Sequence, residues 1–411
     1  MRGYILKTGA RIAPFDEAVG EVLVLNRRLE DYQRAVLGSV CASVEVIASL
    51  DEVRDEAFLL VEDHLFLTRH FLRKAMAAAR RTAGPLRFAL GACRFLEEKA
   101  PRGGLELVRD APDGMHAPLP LVLWRGGPFD RARLASLPLV KVLIKEKKFV
   151  AENLKILRED LELDYAITRD AVQSVRHWSH ILDVNQAALA AHWIDFSPRR
   201  VLWFLWKIVS ALSFNKWTIG ERLNVIGRGA DIHPTAWVAG SVIGKGVSIG
   251  AHATVFGCYL GDGAKVEGQS ELVFSVLGER AVASFHTRVA FSVCYPMSIV
   301  SYPAAQMCVL GKRAMHMGGC FPIDMKLTHG ELLDVKVKHQ GRVVNSGKKF
   351  LGACIGHRSI VGTGLWLNSG VEVPNDYLVV RDRDDLVTQV PDGYAGKTLS
   401  LQGGKLKPYQ R

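Results

Sequence analysis

The segment from Ile243 to Ser270 reads IGKGVSIGAHATVFGCYLGDGAKVEGQS. Aliphatic residues recur at Ile243, Ile249 and Val255, six apart, and after a five-residue step the rhythm resumes at Leu260, Val266 and Leu272. Glycine follows the aliphatic residue at Gly244, Gly250 and Gly261, and small or β-branched side chains stand at Val247, Ala253, Ala264 and Ser270. A helix repeats about every 3.6 residues and a half-buried strand about every 2, so a period of six is neither. It describes a chain that turns a corner every few residues and points one aliphatic side chain inward per side. On this reading the glycines permit tight turns.

The same rhythm returns at Ile355, Val361, Leu367 and Val373, with Gly356 and Gly362 in phase. These two runs resemble the hexapeptide-repeat family, whose fold is a left-handed parallel β-helix. The resemblance implies an all-β domain of that kind over 229–380, with an irregular insertion at about 285–350. It also implies side-by-side association into a homo-oligomer, often a trimer. The competing reading is an ordinary all-β domain with frequent glycine turns. Such repeats specify a shape and leave the reaction open.

A chain of 411 residues has room for two or three domains. The net charge of +11 admits phosphorylated ligands, nucleic acid or an anionic membrane face as partners. The basic residues are dispersed rather than interleaved with aromatics in one patch, which disfavours nucleic acid. The seven cysteines include no CxxC pair, so they indicate neither a zinc ribbon nor a disulfide framework. Met1–Leu25 has no unbroken apolar core of the signal-peptide kind. A cytoplasmic location is the expectation.

The chain opens with a short apolar strand running into Thr8-Gly9-Ala10, then Arg11-Ile12, then Pro14-Phe15, and a helix is expected over Leu29–Leu37. A second buried strand, Ala57–Val61, ends in Glu62-Asp63-His64, and a helix is expected over Phe71–Arg81. Leu86–Leu90 and Leu119–Trp124 supply further strands, and Val140–Leu163 shows helical periodicity with interleaved lysine and glutamate. Here the chain resembles sugar-phosphate nucleotidyltransferases. Gly9, Arg11, Ile12, Pro14 and Phe15 match the family's phosphate loop in kind, and Asn185 with Ala187–Ala191 matches its late helix. The resemblance implies an α/β, Rossmann-like (GT-A-like) domain over 1–195. Active members move a nucleotidyl group from an NTP to a sugar phosphate and release pyrophosphate. Carried over, Thr8, Gly9 and Arg11 hold the nucleotide phosphates, Arg11 assists catalysis, and Asp63 holds Mg²⁺. Asp63 as a plain solvated loop acid is the alternative.

Three departures bear on catalysis. The loop around Gly9 is about two residues short, so fewer backbone N–H groups can wrap phosphate. No lysine lies in Glu17–Val22, and His177, Trp178, Ser179 and His180 stand where a second metal-binding aspartate is expected. Three functions therefore stay open: a nucleotidyltransferase, a non-catalytic nucleotide-sugar sensor or scaffold, and an acyl-CoA-dependent acyltransferase using a β-helix histidine as general base. Hexapeptide carbonic anhydrases, which hold zinc on three histidines, are a further relative. His252 and His357 follow the glycine of a hexad and face outward; His286 and His316, near Cys320, Asp324 and Lys326, lie in the irregular zone and are the candidate catalytic histidines.

Residues 196–228 read as a helical linker and 381–411 as a polar tail. Within the linker, 199–214 is apolar nearly all round and too short to span a bilayer, which takes roughly 20 residues. Burial between domains or at an oligomer interface is the favoured reading, and peripheral membrane contact is the other.

Overall fold

The computed structural model describes residues 1–93, 104–110, 114–153, 162–194, 198–213, 215–328 and 331–409. The first half is built on a twisted sheet of β1 (Arg2–Leu6), β2 (Ser43–Ile47), β3 (Phe58–Glu62), β4 (Leu86–Leu90), β5 (Gly114–Trp124) and β6 (Leu139–Val142). The order across the sheet is β6-β4-β5-β3-β1-β2, with β5 antiparallel to both its neighbours. β1 lies parallel between β2 and β3.

Strands covered on both faces need apolar side chains in both directions, and β3 supplies them. Its Leu59 and Val61 join Ile5, Val36, Phe71 and Leu72 in one core, while Phe58 and Leu60 join Tyr4, Ile47 and Trp124 on the other side. Helices α1 (Leu29–Leu37) and α2 (Arg69–Ala79) cover the first of these cores. Thr68 caps α2, its hydroxyl accepting from the Phe71 N–H at 3.3 Å.

The expected helix over Val140–Leu163 is not formed among the described residues. Residues 139–142 are β6, and Lys147–Asn153 pairs antiparallel with Glu162–Ile167. Val140, Val142 and Ile144 alternate at a spacing of two, and that strand signal outweighs the helical one.

Helices α3 (Trp178–Ile194), α4 (Pro198–Ser210) and α5 (Lys216–Arg222) lead into the second half. There, short parallel strands stack into three sheets, an arrangement compatible with a β-helix. Successive partners are 17 residues apart, as in Val242↔Tyr259, Ser248↔Lys265 and Thr254↔Glu271. Ile243, Leu260, Leu277, Leu310 and Ile355 fill the interior with Ile249, Val266, Val300 and Val361.

The glycine after the inward aliphatic residue is required by close approach, not by its dihedral angles. A Cβ on Gly261 would lie 2.7 Å from the backbone of the next coil at Gly278 and Glu279. One corner carries a ladder of buried side chains. Ser241 Oγ accepts from the Cys258 N–H, Cys258 Sγ from Ser275, Ser275 Oγ from Ser292, and Ser292 Oγ from Cys308. Each corner amide is thereby satisfied without water.

The stack continues through Phe321–Pro322, well into the zone expected to be irregular. Cys294, Ala305 and His316 replace the aliphatic residues there, and one coil is shortened, so that Arg288 pairs with Ala304. The excursion is confined to the residues after Asp324. Its neck is closed where the Leu351 N–H donates to the Asp324 carbonyl at 2.7 Å, and Met325 bridges to Phe350.

Candidate functional site

β2 follows β1 on one side and β3 returns to the other, so the strand order reverses between β1 and β3. In open α/β sheets ligands bind at such a switch point, outside the carboxyl ends of the strands. Thr8 and Asp63 occupy that place. The Asp63 N–H donates to the Leu6 carbonyl at 2.9 Å, and the Thr8 hydroxyl donates to Asp63 Oδ1 at 2.7 Å. Asp63 is only 5% exposed. Burial pushes its carboxyl above the usual carboxylate range, and the Thr8 hydrogen bond offsets part of that. Gly9 adopts φ +72°, with open space where a Cβ would point, so its backbone conformation alone calls for glycine.

The neighbouring groups are held in a chain. His64 Nε2 lies 2.8 Å from Glu62 Oε2, and His64 Nδ1 lies 2.8 Å from Ser174 Oγ. The His64 contact holds the Glu62 carboxyl below the usual range. The Gln33 amide donates to the carbonyls of Glu62 and Leu65, which fixes the turn that carries Asp63. Arg11 is turned toward its own hairpin: its Nε donates to Asp16 Oδ1 at 2.6 Å, with both side chains exposed. An exposed pair of this kind is screened by solvent and holds Arg11 only weakly.

The segment after Ile12 faces the stacked coils rather than a phosphate. Phe15 stacks on Tyr295 and His357 with ring centroids 5.4 and 4.8 Å apart. The Tyr295 hydroxyl donates to Glu17 Oε1 at 2.9 Å, and Glu17 Oε2 lies 3.5 Å from His357 Nε2 and 3.7 Å from Lys312 Nζ. Asn375 donates to the Phe15 carbonyl at 2.7 Å. His357 faces outward from the coils as expected and is covered by the first half.

The positions expected to hold a second metal-binding aspartate are likewise engaged across the junction. His177 Nε2 lies 3.1 Å from Glu372 Oε1, and Trp178 Nε1 donates to the same oxygen at 2.8 Å. Burial holds the His180 imidazole well below its usual value. The excursion closes over this region: His339 packs edge-on to His177 at 5.4 Å, and Lys348 pairs with Asp183. None of these contacts between the two halves was singled out by the sequence.

The candidate histidines of the second half do not form one site. His286 is an exposed corner residue at φ +58°. His316 points into the prism between Val300 and Val361 in the ladder, fully buried, and neither ring nitrogen has a hydrogen-bond partner of ordinary geometry among the described residues. Burial pushes its imidazole down to about 4. Cys320 is buried in the same interior. The spacing signalled this: His316 lies six residues after the inward Leu310. Among the described residues no group of three or more histidine, cysteine or acidic side chains is placed to hold a metal ion. Asp63, at the switch point, is a carboxylate that could serve as a single ligand to a divalent ion.

No protein-family model matches the chain, and no curated protein matches it.

Proposed function

We propose that the first half is a nucleotidyltransferase-like, GT-A-type domain that receives a nucleoside triphosphate or nucleotide sugar at the Thr8–Asp63 edge, fused to a left-handed β-helix. The observation that carries this reading is the meeting of Thr8 and Asp63 at the switch point between β1 and β3. Thr8 and the Gly9 backbone face the phosphates, and Arg11 exchanges Asp16 for phosphate oxygen. Asp63, buried and protonation-prone when empty, is drawn to its charged form by an arriving Mg²⁺.

A second reading is a nucleotide-sugar sensor or scaffold without turnover. The engagement of His177 and Trp178 with Glu372 favours it, because that segment is turned to the coils instead of to the ligand. One experiment separates the readings. Thermal shifts are measured over NTPs, nucleotide sugars and acyl-CoAs with and without Mg²⁺, and pyrophosphate release is followed with sugar phosphates. A nucleotide-dependent shift with pyrophosphate release supports a transferase. A shift without release supports a sensor. A shift with acyl-CoA alone, lost in His286→Asn, would replace both.

A further inference from the structure

Between Pro198 and Gly220 the sequence carries Arg199, Arg200, Lys207 and Lys216 and no aspartate or glutamate. The structure sets this stretch on the outside of the molecule as α4 and α5. Leu202, Leu205, Trp206 and Val209, spaced three and four apart, share one face of α4, and they are 67%, 54%, 63% and 71% exposed. Leu212 just beyond is 93% exposed. α5 rests on the first coil, where the Gly240 N–H donates to the Gly220 carbonyl at 3.0 Å and Trp217 packs on Trp237. Trp217 itself stays half exposed, as do Val225 and Ile226 of the first strand beside it. The expected burial of this helix between the halves is thus not found in the single chain.

We propose that this α4–α5 face docks on an anionic lipid surface, lying in the plane of the interface. No helix among the described residues is long and apolar enough to cross a membrane, and α4 at 13 residues is about 20 Å long. An apolar stripe flanked by cations and tryptophan is the pattern of helices that lie at the headgroup boundary. Lys207 Nζ sits 5.5 Å from both the Trp203 and the Trp206 rings, and Lys216 Nζ sits 4.7 Å from Trp217. The ammonium groups are therefore held beside the rings that would enter the interface, with their charge directed at headgroups.

Charge decides between lipid and a second copy of the chain. A symmetric self-contact on this face would set Lys207 and Lys216 against their own equivalents, with no acid in α4 and, in α5, only Glu221 beside Arg222 at its far end. Anionic headgroups supply the missing charge, and the whole chain at +11 is drawn the same way.

The test is co-sedimentation of the full chain with phosphatidylcholine vesicles and with vesicles containing 30% phosphatidylglycerol, alongside tryptophan emission. The result expected is binding to the anionic vesicles with a blue shift, weakened by 0.5 M salt, and little binding to phosphatidylcholine. Lys207→Gln should weaken partition about fivefold, and Leu205→Ser with Val209→Ser should abolish it. Leu205 and Val209 are exposed and Lys207 is half-buried with its ammonium over two rings, so the melting temperature should change little and serves as the folding control. Equal binding to both vesicle types, or none to either, overturns the proposal. So does concentration-dependent self-association lost in the Leu205→Ser, Val209→Ser variant without vesicle binding, which would assign the face to a second copy.

Discussion

Tyr295 donates its hydroxyl hydrogen to Glu17 across 2.9 Å, and this bond ties the first half of the chain to the stacked coils at a fully buried point. Burial and the adjacent carboxylate push the Tyr295 phenol well above its usual value, so it stays a donor throughout the accessible pH range. Tyr295→Phe leaves the Glu17 carboxylate short of one buried donor. A bond to a charged group contributes about 1.5–3 kcal/mol, and a loss of that size is expected in urea unfolding. An unchanged midpoint would show that the junction does not depend on this bond.

Acid should loosen the coils through His316. Its folded imidazole is pushed down to about 4 from an ordinary value near 6.5, so the folded state takes up the proton later than the unfolded chain. The stability it protects is fully present above about pH 6.5 and is lost as pH falls toward about 4, to the extent of about 3 kcal/mol. His316→Val matches Val300 and Val361 in the ladder and should flatten the pH dependence of melting between pH 7 and 4. A steep dependence surviving in the variant would assign the acid sensitivity elsewhere.

Ser275→Ala tests the corner ladder. The Ser275 hydroxyl accepts from the Ser292 N–H at 3.1 Å and has the Val289 and Val273 carbonyls as its own acceptors. Removing it orphans a buried amide, which costs about 1–3 kcal/mol. Hydrogen exchange at Ser292 should speed up more than exchange in β1 and β3; uniform change, or none, would contradict the ladder's role.

The thiols give a direct readout of the interior. Burial pushes Cys258, Cys308 and Cys320 up to about 12 and raises Cys294, Cys354 and Cys41 as well. The thiolate is the reactive form, so a disulfide reagent at pH 8 should find one fast thiol, the half-buried Cys93, in the native chain. All seven cysteines should react after denaturation. Rapid reaction of any of the five coil thiols, Cys258, Cys294, Cys308, Cys320 or Cys354, would show that a coil opens.

Asp63→Asn should abolish any Mg²⁺-dependent thermal shift by a nucleotide while changing the intrinsic melting temperature little. The substitution removes a carboxyl that burial already disfavours as an anion and keeps an acceptor for the Thr8 hydroxyl. Retention of the metal-dependent shift would remove Asp63 from the site.

The stacked coils were legible because inward residues recur on a local rhythm that needs no long-range information. The role of the following glycine was not, since it depends on where the next coil passes. Val140–Leu163 misled because its apolar residues satisfy two periods at once. Thr8 and Asp63, 55 residues apart, were singled out through the resemblance to nucleotidyltransferases, but their contact required the fold. Glu17 with Tyr295, 278 residues apart, left no local trace at all. For His316 the phase that marked it as interior was already present in the spacing from Leu310.

The closed neck between Asp324 and Leu351 has a wider consequence. Because the chain departs and rejoins at adjacent points, the pitch of the prism is indifferent to how many residues the bulge contains. Val309 pairs with Cys354 in the same register that Val293 holds with Val309, although far more chain intervenes. This corner therefore lends chain to the junction without disturbing the winding: Leu332, Val335 and Val337 beyond the neck are buried in a core shared with the first half.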